Sequence, residues 1–148
     1  LVLFARTEQA AARYEELFFK HTLRKIYHAL VRGVPESSGR LVHWVVKNAD
    51  DSFVRVCREG EPDALRCELS YRLLQTNGET SLLEIELFTG RTHQIRVQMA
   101  AAGHPVLGDD KYGDREFNKL HKKKLQQLLA KRLEIDGLVF ESLRELEL

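Results

Sequence analysis

Alternating apolar and polar positions predict most of the strands in this chain. Residues 24–33, RKIYHALVRG, alternate over one strand length and stop at a glycine, which indicates a β-strand. Its alternate residues divide between two faces, Ile26, His28 and Leu30 on one and Tyr27, Ala29 and Val31 on the other. The pattern therefore predicts an early strand with two different faces.

Two hairpins are predicted further along. Residues 41–47 and 52–57 flank the turn KNADD, and residues 65–74 and 81–88 flank QTNGET, whose Asn77-Gly78 pair is a strong hairpin signal. The last of these strands alternates Leu83, Ile85 and Leu87 with Glu84 and Glu86. One face of this sheet is expected to be buried and the other wet.

Helical spacing of apolar residues predicts three helices. The first covers residues 5–22, with Thr7 as its cap and an apolar face at Ala10, Tyr14, Leu17, Phe18 and His21. The second covers roughly Thr92 to Ala102 and is closed by Gly103. The third covers about Phe117 to Lys131, with an apolar stripe at Phe117, Leu120 and Leu128. The remainder, RLEIDGLVFESL, is expected to form one or two strands.

This order of elements predicts an α+β fold with a mainly antiparallel sheet, in a single domain over residues 1–148. The composition, 43% hydrophobic and 30% charged, is typical of a globular protein. The chain contains no apolar run near membrane-spanning length and does not open with a secretory signal. Cys57 and Cys67 are expected to be reduced thiols, which suits the cytoplasm. The histidines do not cluster at ligand spacing, so no metal is expected.

The stretch GRTHQIR, residues 90–96, concentrates the candidate chemistry. Gly90 stands where a strand turns into a helix, and a positive φ is expected there. The first amides of the helix lack internal partners and carry partial positive charge, to which Arg91 adds a full charge. Such a helix start suits an anion, either a phosphate or a carboxylate.

Arg96 is expected to lie at the edge of a buried stripe formed by Ile95, Met99 and Ala102. A half-buried arginine needs a carboxylate or phosphate partner. The residues alone leave two possibilities open: an ion pair with Glu84 or Glu86, or an external anion.

Tyr27 is the second candidate residue, because it lies between Arg24, Lys25 and Arg32 on its strand. It is either an ordinary strand tyrosine or a ring that stacks on a nucleobase in a basic groove.

Charge is unevenly distributed toward the end of the chain. Residues 111–132 hold eight Lys and Arg against Asp114 and Glu116. Lys122 to Lys124 fan around a helix and favour a solvated face, although a side that binds a polyanion is the alternative. Asp109 and Asp110, in LGDDKYG, fit a polar turn better than a cation site.

Two segments together resemble a known family. GRTHQIRVQMAAAGHPVLGDDKYG is similar to the signature of the RluA-type RNA pseudouridine synthases, and RKIYHALVRG is similar to their tyrosine-bearing strand. LVLFART resembles the stretch that directly follows the catalytic aspartate motif of that family, so the motif is expected about six residues before Leu1. The resemblance implies an α+β fold with a mixed sheet, whose N-terminal part is not included here.

The resemblance also implies a function and site residues. A uridine base in ribosomal or transfer RNA is detached, turned and rejoined through carbon 5, without metal or organic cofactor. Arg96 would pair with the catalytic aspartate, and Tyr27 would pack on the flipped base. Arg91, Thr92, His93 and Gln94 would face the RNA. A monomer is expected, and this chain alone is expected to be inactive because the aspartate is missing.

This sequence departs from the family pattern in two places. Gln98 stands where the family usually has histidine, and the last 30 residues match the pattern poorly. Two other functions therefore stay open: an RNA-binding module without catalysis, and an enzyme whose small phosphate-bearing substrate sits at Thr92. An aspartate motif upstream of Leu1 would favour the synthase.

Overall fold

The computed structural model of the protein describes residues 1–20, 22–48 and 52–148. Its helices are α1 (Glu8–Phe19), α2 (Gln94–Ala101) and α3 (Arg115–Leu120). Its strands are β1 (Leu23–Arg32), β2 (Ser38–Lys47), β3 (Val54–Cys57), β4 (Leu65–Thr76), β5 (Thr80–Leu87), β6 (Leu128–Ile135) and β7 (Leu138–Glu141). The strands form one sheet in the order β3-β2-β4-β5-β1-β6-β7, and the pairs between these described strands are antiparallel. The predicted α+β class is confirmed.

Both predicted hairpins are present. In the second, the Asn77 side chain accepts hydrogen bonds from the amides of Glu79 and Thr80, and Gly78 adopts φ 92°. The conformation that this turn requires is the one that glycine adopts without strain. The first hairpin pairs β2 with β3, while positions 49–51 of its turn lie outside the described residues.

β1 lies in the interior of the sheet and pairs with strands that are distant in sequence. Its neighbours are β5 and β6, and the register against β6 shifts between Ile26 and Tyr27, as in a β-bulge. Because β1 is paired on both edges, its backbone groups are satisfied along most of its length. This places Tyr27 at a fixed point in the middle of the sheet.

The face of β1 that carries Tyr27 supports both longer helices. Ala29 and Val31 pack with Ile95 and Met99 of α2 in the main core, and Tyr27 lies against this cluster. Leu23, on the same face by the two-residue period, packs with Leu133 and Ile135 against one side of α1. Thr7 caps α1 as predicted, accepting the amide of Ala10 at 3.1 Å. His21, which the spacing places on this helix, lies outside the described residues.

The third predicted helix, over residues 117–131, is present only at its start, and its continuation to Lys131 is wrong. α3 ends at Leu120, Lys122 has a left-handed φ of 54°, and β6 begins at Leu128. Leu120 and Leu125 are both 77% exposed, so no apolar helix face forms there. The free edge of β1 provides a better partner, because pairing with it buries Leu133 and Ile135.

At one end of the sheet, β7 is exposed along its whole length. Leu138, Val139 and Phe140 are 59%, 60% and 45% exposed. No helix in the described part of the chain is long and apolar enough to cross a membrane. Within residues 1–20, 22–48 and 52–148, no group of three His, Cys, Asp or Glu side chains is placed to hold a metal ion.

Candidate active site around the start of α2

The turn that leads into α2 is held from inside by Gln94. Its Oε1 accepts the amide of Arg91 at 3.0 Å and the hydroxyl of Thr89 at 2.8 Å, while its Nε2 donates to the carbonyl of Glu68 at 2.9 Å. Gln94 is 3% exposed. Burial and these three internal hydrogen bonds argue against the predicted contact of Gln94 with RNA.

The left-handed residue of this turn is His93 rather than Gly90. His93 is the N-cap of α2 with φ 54° and ψ 21°, and Gly90 is not among the glycines with positive φ. A non-glycine residue rarely adopts this conformation, and histidine is one of the side chains that tolerate it better. The strained backbone conformation at this helix start therefore falls on His93, whose imidazole hydrogen-bonds to Tyr112.

The other three predicted contacts lie at or near the surface. Thr92 is exposed, and Arg91 and His93 are half-buried. The Nε of Arg91 donates to the carbonyl of Arg66 at 3.1 Å, which fixes one edge of its guanidinium. These three residues are placed where a ligand could reach them.

Arg96 forms a bidentate ion pair with Asp109. Its Nε donates to Oδ2 at 2.7 Å and its Nη2 to Oδ1 at 2.8 Å. The two side chains are 10% and 1% exposed, so water screens the pair weakly. Arg96 therefore has a carboxylate partner within this chain, which the sequence did not predict, and the predicted pairing with the catalytic aspartate stays a prediction.

The alternative partners of Arg96 are also ruled out. Glu84 binds Arg72 at 2.9 Å, and Glu86 binds Arg24 at 2.8 Å. Both pairs link neighbouring strands, on the face of β5 opposite to that of Leu83 and Ile85.

Asp109 is stabilised as a carboxylate. Burial by itself would raise its pKa, but hydrogen bonds from Arg96 and from the amides of Tyr112 and Lys111 outweigh burial and hold the pKa below its usual range. The pKa of Arg96 is raised, chiefly by its hydrogen bonds to Asp109. The pair is therefore charged at neutral pH.

The loop that carries Asp109 is itself braced by α3. Buried Asn118 donates to the carbonyl of Asp109 at 3.1 Å and accepts the amide of Gly108 at 2.7 Å. Gly108 has φ 78°, and a Cβ there would collide with the carbonyl of Leu125. These contacts make LGDDKYG a rigid support, consistent with the turn that its sequence favours.

Tyr112 lies against the same ion pair. Its ring centroid is 4.8 Å from the Cζ of Arg96, within the range of a cation–π contact. Its hydroxyl accepts the amide of Val54 at 3.0 Å and lies 2.8 Å from Nδ1 of His93. Burial, followed by the charges of Arg96 and Lys111, lowers the pKa of His93, so this imidazole is neutral at pH 7.

Tyr27 lies in a different cavity, of about 400 Å³, whose walls come from residues 1–3, α1 and β6. A neighbouring cavity of about 380 Å³ reaches Gly90 and Arg91, and Glu15, Phe18 and Lys25 line both. We call these two adjacent cavities, which extend from Tyr27 past Lys25 to Arg91, the Tyr27 groove. Lys25 Nζ lies 4.3 Å from the centroid of the Phe18 ring, and burial lowers its pKa. Burial also raises the pKa of Tyr27.

Arg96 lines neither cavity of the Tyr27 groove. It borders a third depression, of about 510 Å³, together with Lys111 and Lys124. The two cavities thus connect Tyr27 with Arg91, whereas Arg96 lies one helix turn further along α2, next to Ile95, which packs in the core cluster that Tyr27 contacts.

The sequence already pointed to Lys25, which stands two residues before Tyr27 and shares its strand face. The contacts of Asp109 and Tyr112 with Arg96 were missed. Asp109 and Tyr112 depend on the path of an irregular loop, which residue spacing does not predict.

The sequence model of the family described as RNA pseudouridylate synthase matches residues 1–101. The chain belongs to this family. Its matched region contains Tyr27, the turn at Gly90 and all of α2, so the family assignment includes the segments that carry Tyr27 and Arg96.

Several curated relatives are similar in sequence to this pseudouridylate synthase family member. Ribosomal large subunit pseudouridine synthase C of Vibrio parahaemolyticus is 37% identical over 119 residues, 80% of this chain and 36% of that protein. The Escherichia coli K12 protein of the same name is 37% identical over 123 residues, with 80% and 37% covered. An uncharacterized RNA pseudouridine synthase of Chloroflexus aurantiacus is 40% identical over 115 residues, with 78% and 35% covered. The chain spans little more than a third of the length of these relatives.

Solved structures agree with the family fold. Human RNA pseudouridylate synthase domain containing 1 superposes with a TM-score of 0.70 at 28% identity, covering 93% of this chain and 60% of that one. Human RNA pseudouridylate synthase domain containing 4 gives a TM-score of 0.72 at 24% identity, over 92% and 63%, and supports the fold alone.

Proposed function

We propose that the full-length protein isomerises uridine to pseudouridine in structured RNA. The observation that carries the proposal is the family match over residues 1–101, which contain both the Tyr27 strand and the GRTHQIR turn. The names of the relatives favour ribosomal over transfer RNA. The nucleophile would be an aspartate supplied by sequence before Leu1.

Arg96 would hold that aspartate ionised. A guanidinium has five N–H donors, and Asp109 accepts from two of them, one at Nε and one at Nη2. The Nη1 group is left for a second carboxylate. A positive charge about 4 Å away lowers the pKa of a carboxyl group, which keeps a nucleophilic aspartate ready at neutral pH.

The Tyr27 groove would receive the flipped nucleotide. Stacking of a base on the Tyr27 ring returns about 1–3 kcal/mol of the cost of unstacking it from the RNA. Lys25 and Arg91, further along the same groove, would bind the flanking phosphates, and Thr92 and His93 would lie at the RNA-facing edge. Positive side chains of residues 111–132 add attraction for the RNA backbone without sequence preference.

The chain is also proposed to act in the cytoplasm, as a monomer and without a metal cofactor. Cys57 and Cys67 are both free thiols, and burial raises the pKa of Cys67 to about 11, so this thiol stays protonated and unreactive. Free buried thiols are usual in a reducing compartment.

The decisive experiment is tritium release from RNA carrying 5-tritiated uridine, with the full-length protein. Wild type should release tritium, and Arg96→Ala should abolish release because the nucleophile loses its charge partner. Arg72→Ala is the matched control, since Arg72 also pairs with a glutamate but is exposed on the other face of the sheet. Near-normal release by Arg96→Ala would refute the role of Arg96.

The same assay separates the synthase from a binding module. RNA binding by the wild type without any tritium release would favour the module. Tyr27→Phe should bind RNA as the wild type does, whereas Tyr27→Ala should capture the base more weakly. Equal affinity and rate in both variants would refute stacking.

A further inference from the structure

Tyr112 contacts the two halves of the buried ion pair and the helix start beside it. Its ring lies over the guanidinium of Arg96 at 4.8 Å, and its amide donates to Oδ1 of Asp109 at 3.2 Å. Its hydroxyl binds His93, the N-cap of α2, and the amide of Val54 at the start of β3. One residue thus connects three segments distant in sequence.

These contacts restrain Arg96 in two directions. Asp109 fixes one edge of the guanidinium within its plane, because the pairing is bidentate. The Tyr112 ring lies 4.8 Å from Cζ and restricts movement of the guanidinium toward that side. Neither contact involves Nη1, so among residues 1–20, 22–48 and 52–148 this end of Arg96 is the one open to another group.

We propose that Tyr112 is a positioning residue for Arg96, acting together with Asp109 to aim Nη1 at the catalytic carboxylate. This inference rests on the proposed function, because the carboxylate is the expected upstream nucleophile. The LGDDKYG loop then has a task in the reaction beyond forming a turn. In this role Tyr112 acts through Arg96.

Kinetics of three full-length variants test the proposal. Tyr112→Leu removes the ring, Tyr112→Phe keeps the ring and loses only the hydroxyl, and Tyr71→Leu removes a partly buried tyrosine that packs elsewhere against the main core. Tyr112→Leu should lower kcat about tenfold or more while KM for RNA stays within about twofold, because a small misplacement of a catalytic group is costly. Tyr112→Phe should stay within about threefold of wild type in kcat.

The pH profile distinguishes positioning from simple packing. A loosened Arg96 lowers the pKa of the nucleophile less, so the acid limb of kcat should move to higher pH in Tyr112→Leu. Tyr112→Phe and Tyr71→Leu should keep the acid limb of the wild type. An unchanged acid limb in Tyr112→Leu would overturn the proposal.

A spectroscopic readout keeps this test separate from the proposed function. The Nε–H of Arg96 donates into a buried bond, so its ¹⁵N-detected NMR signal should exchange slowly with water in wild type and Tyr112→Phe. Exchange at least about ten times faster in Tyr112→Leu supports positioning, and unchanged exchange contradicts it. Absence of tritium release by the wild type, with the exchange result as expected, would defeat the synthase proposal and leave the restraint of Arg96 by Tyr112 standing.

Discussion

Arg96 brings a full positive charge into a part of the molecule that water hardly reaches. Its partner Asp109 is 1% exposed in the side chain and has further hydrogen bonds from two backbone amides. Removing one member of such a pair leaves the other as an uncompensated buried charge, which is more costly than losing both. Stability and function therefore depend on the same residue.

Replacing Arg96 by methionine should lower the free energy of unfolding by about 3–5 kcal/mol. The double variant Arg96→Met, Asp109→Asn should recover part of this loss, since the new carboxamide has no charge and still offers an oxygen to the amides of Lys111 and Tyr112. Urea unfolding followed by circular dichroism measures both. A double variant less stable than Arg96→Met would contradict the buried-charge explanation.

The contribution of Asp109 should depend on pH with a definite sign. Its pKa in the folded protein lies below the value near 3.9 of an unfolded aspartate, so the folded state binds the proton less readily. Its stabilisation is complete above about pH 5 and is lost as the pH falls through the folded pKa. The stability difference between wild type and the double variant should thus shrink below about pH 4, measured by urea unfolding from about pH 7 to about pH 3. Parallel curves would show that Asp109 does not titrate as described.

The sequence predicted that Arg96 is half-buried and needs an anionic partner, but it did not identify that partner. α2 packs on the face of β5 that carries Leu83 and Ile85. The alternation of β5 places Glu84 and Glu86 on the opposite face. That argument alone excludes both glutamates. Asp109 is 13 residues further along, beyond a helix and an irregular loop, and no local periodicity describes the path between them.

At the level of elements, the segment after α3 shows why the helix prediction failed. Phe117, Leu120 and Leu128 fit a helical stripe, but residues 131–135 also alternate, with Lys131, Leu133 and Ile135 buried. Local spacing did not distinguish the two patterns. The strand forms because residues 128–135 pair with the open edge of β1, and that edge exists only in the folded sheet.

The close approach of Gly108 to residue 125 provides a test of how this segment is fixed. Gly108→Ala should destabilise the protein by more than the about 1–2 kcal/mol that a left-handed alanine costs, because its Cβ also meets the carbonyl of Leu125. Gly60→Ala is the matched control, with φ 86° and no atom within 4 Å of the added carbon.

Thermal unfolding of the two glycine variants should show a distinctly larger loss for Gly108→Ala. Equal losses would mean that the 121–127 segment moves away without cost, and would argue against a rigid support for Asp109.

For the whole molecule, most of the sheet followed from the sequence. The order of helices and strands up to α3, the hairpin at Asn77-Gly78 and the cap at Thr7 were all predicted, because each depends on neighbouring residues. The order of strands was not, since it places β1 between β5 and β6. Pairing between strands so distant in sequence depends on how well the whole apolar faces of the sheet are buried.

The exposed edge strand β7 should make the chain prone to self-association. It presents Leu138, Val139 and Phe140, and has no strand on its outer side in the described part of the chain. Val139→Lys places a cation opposite Glu134 in the register and should reduce light scattering at high concentration. Its free energy of unfolding should stay within about 0.5 kcal/mol of wild type. Unchanged scattering would show that this edge is not the site of association.

The interior position of β1 has a consequence for the time at which the protein can fold. The second strand edge of β1 is completed only by residues 128–135, which a ribosome makes more than a hundred residues after Leu23. During synthesis β2, β3, β4 and β5 can pair with near neighbours, whereas β1 must wait for its last partner. The strand that carries Tyr27 is therefore translated early, but its hydrogen bonding on both edges is completed late.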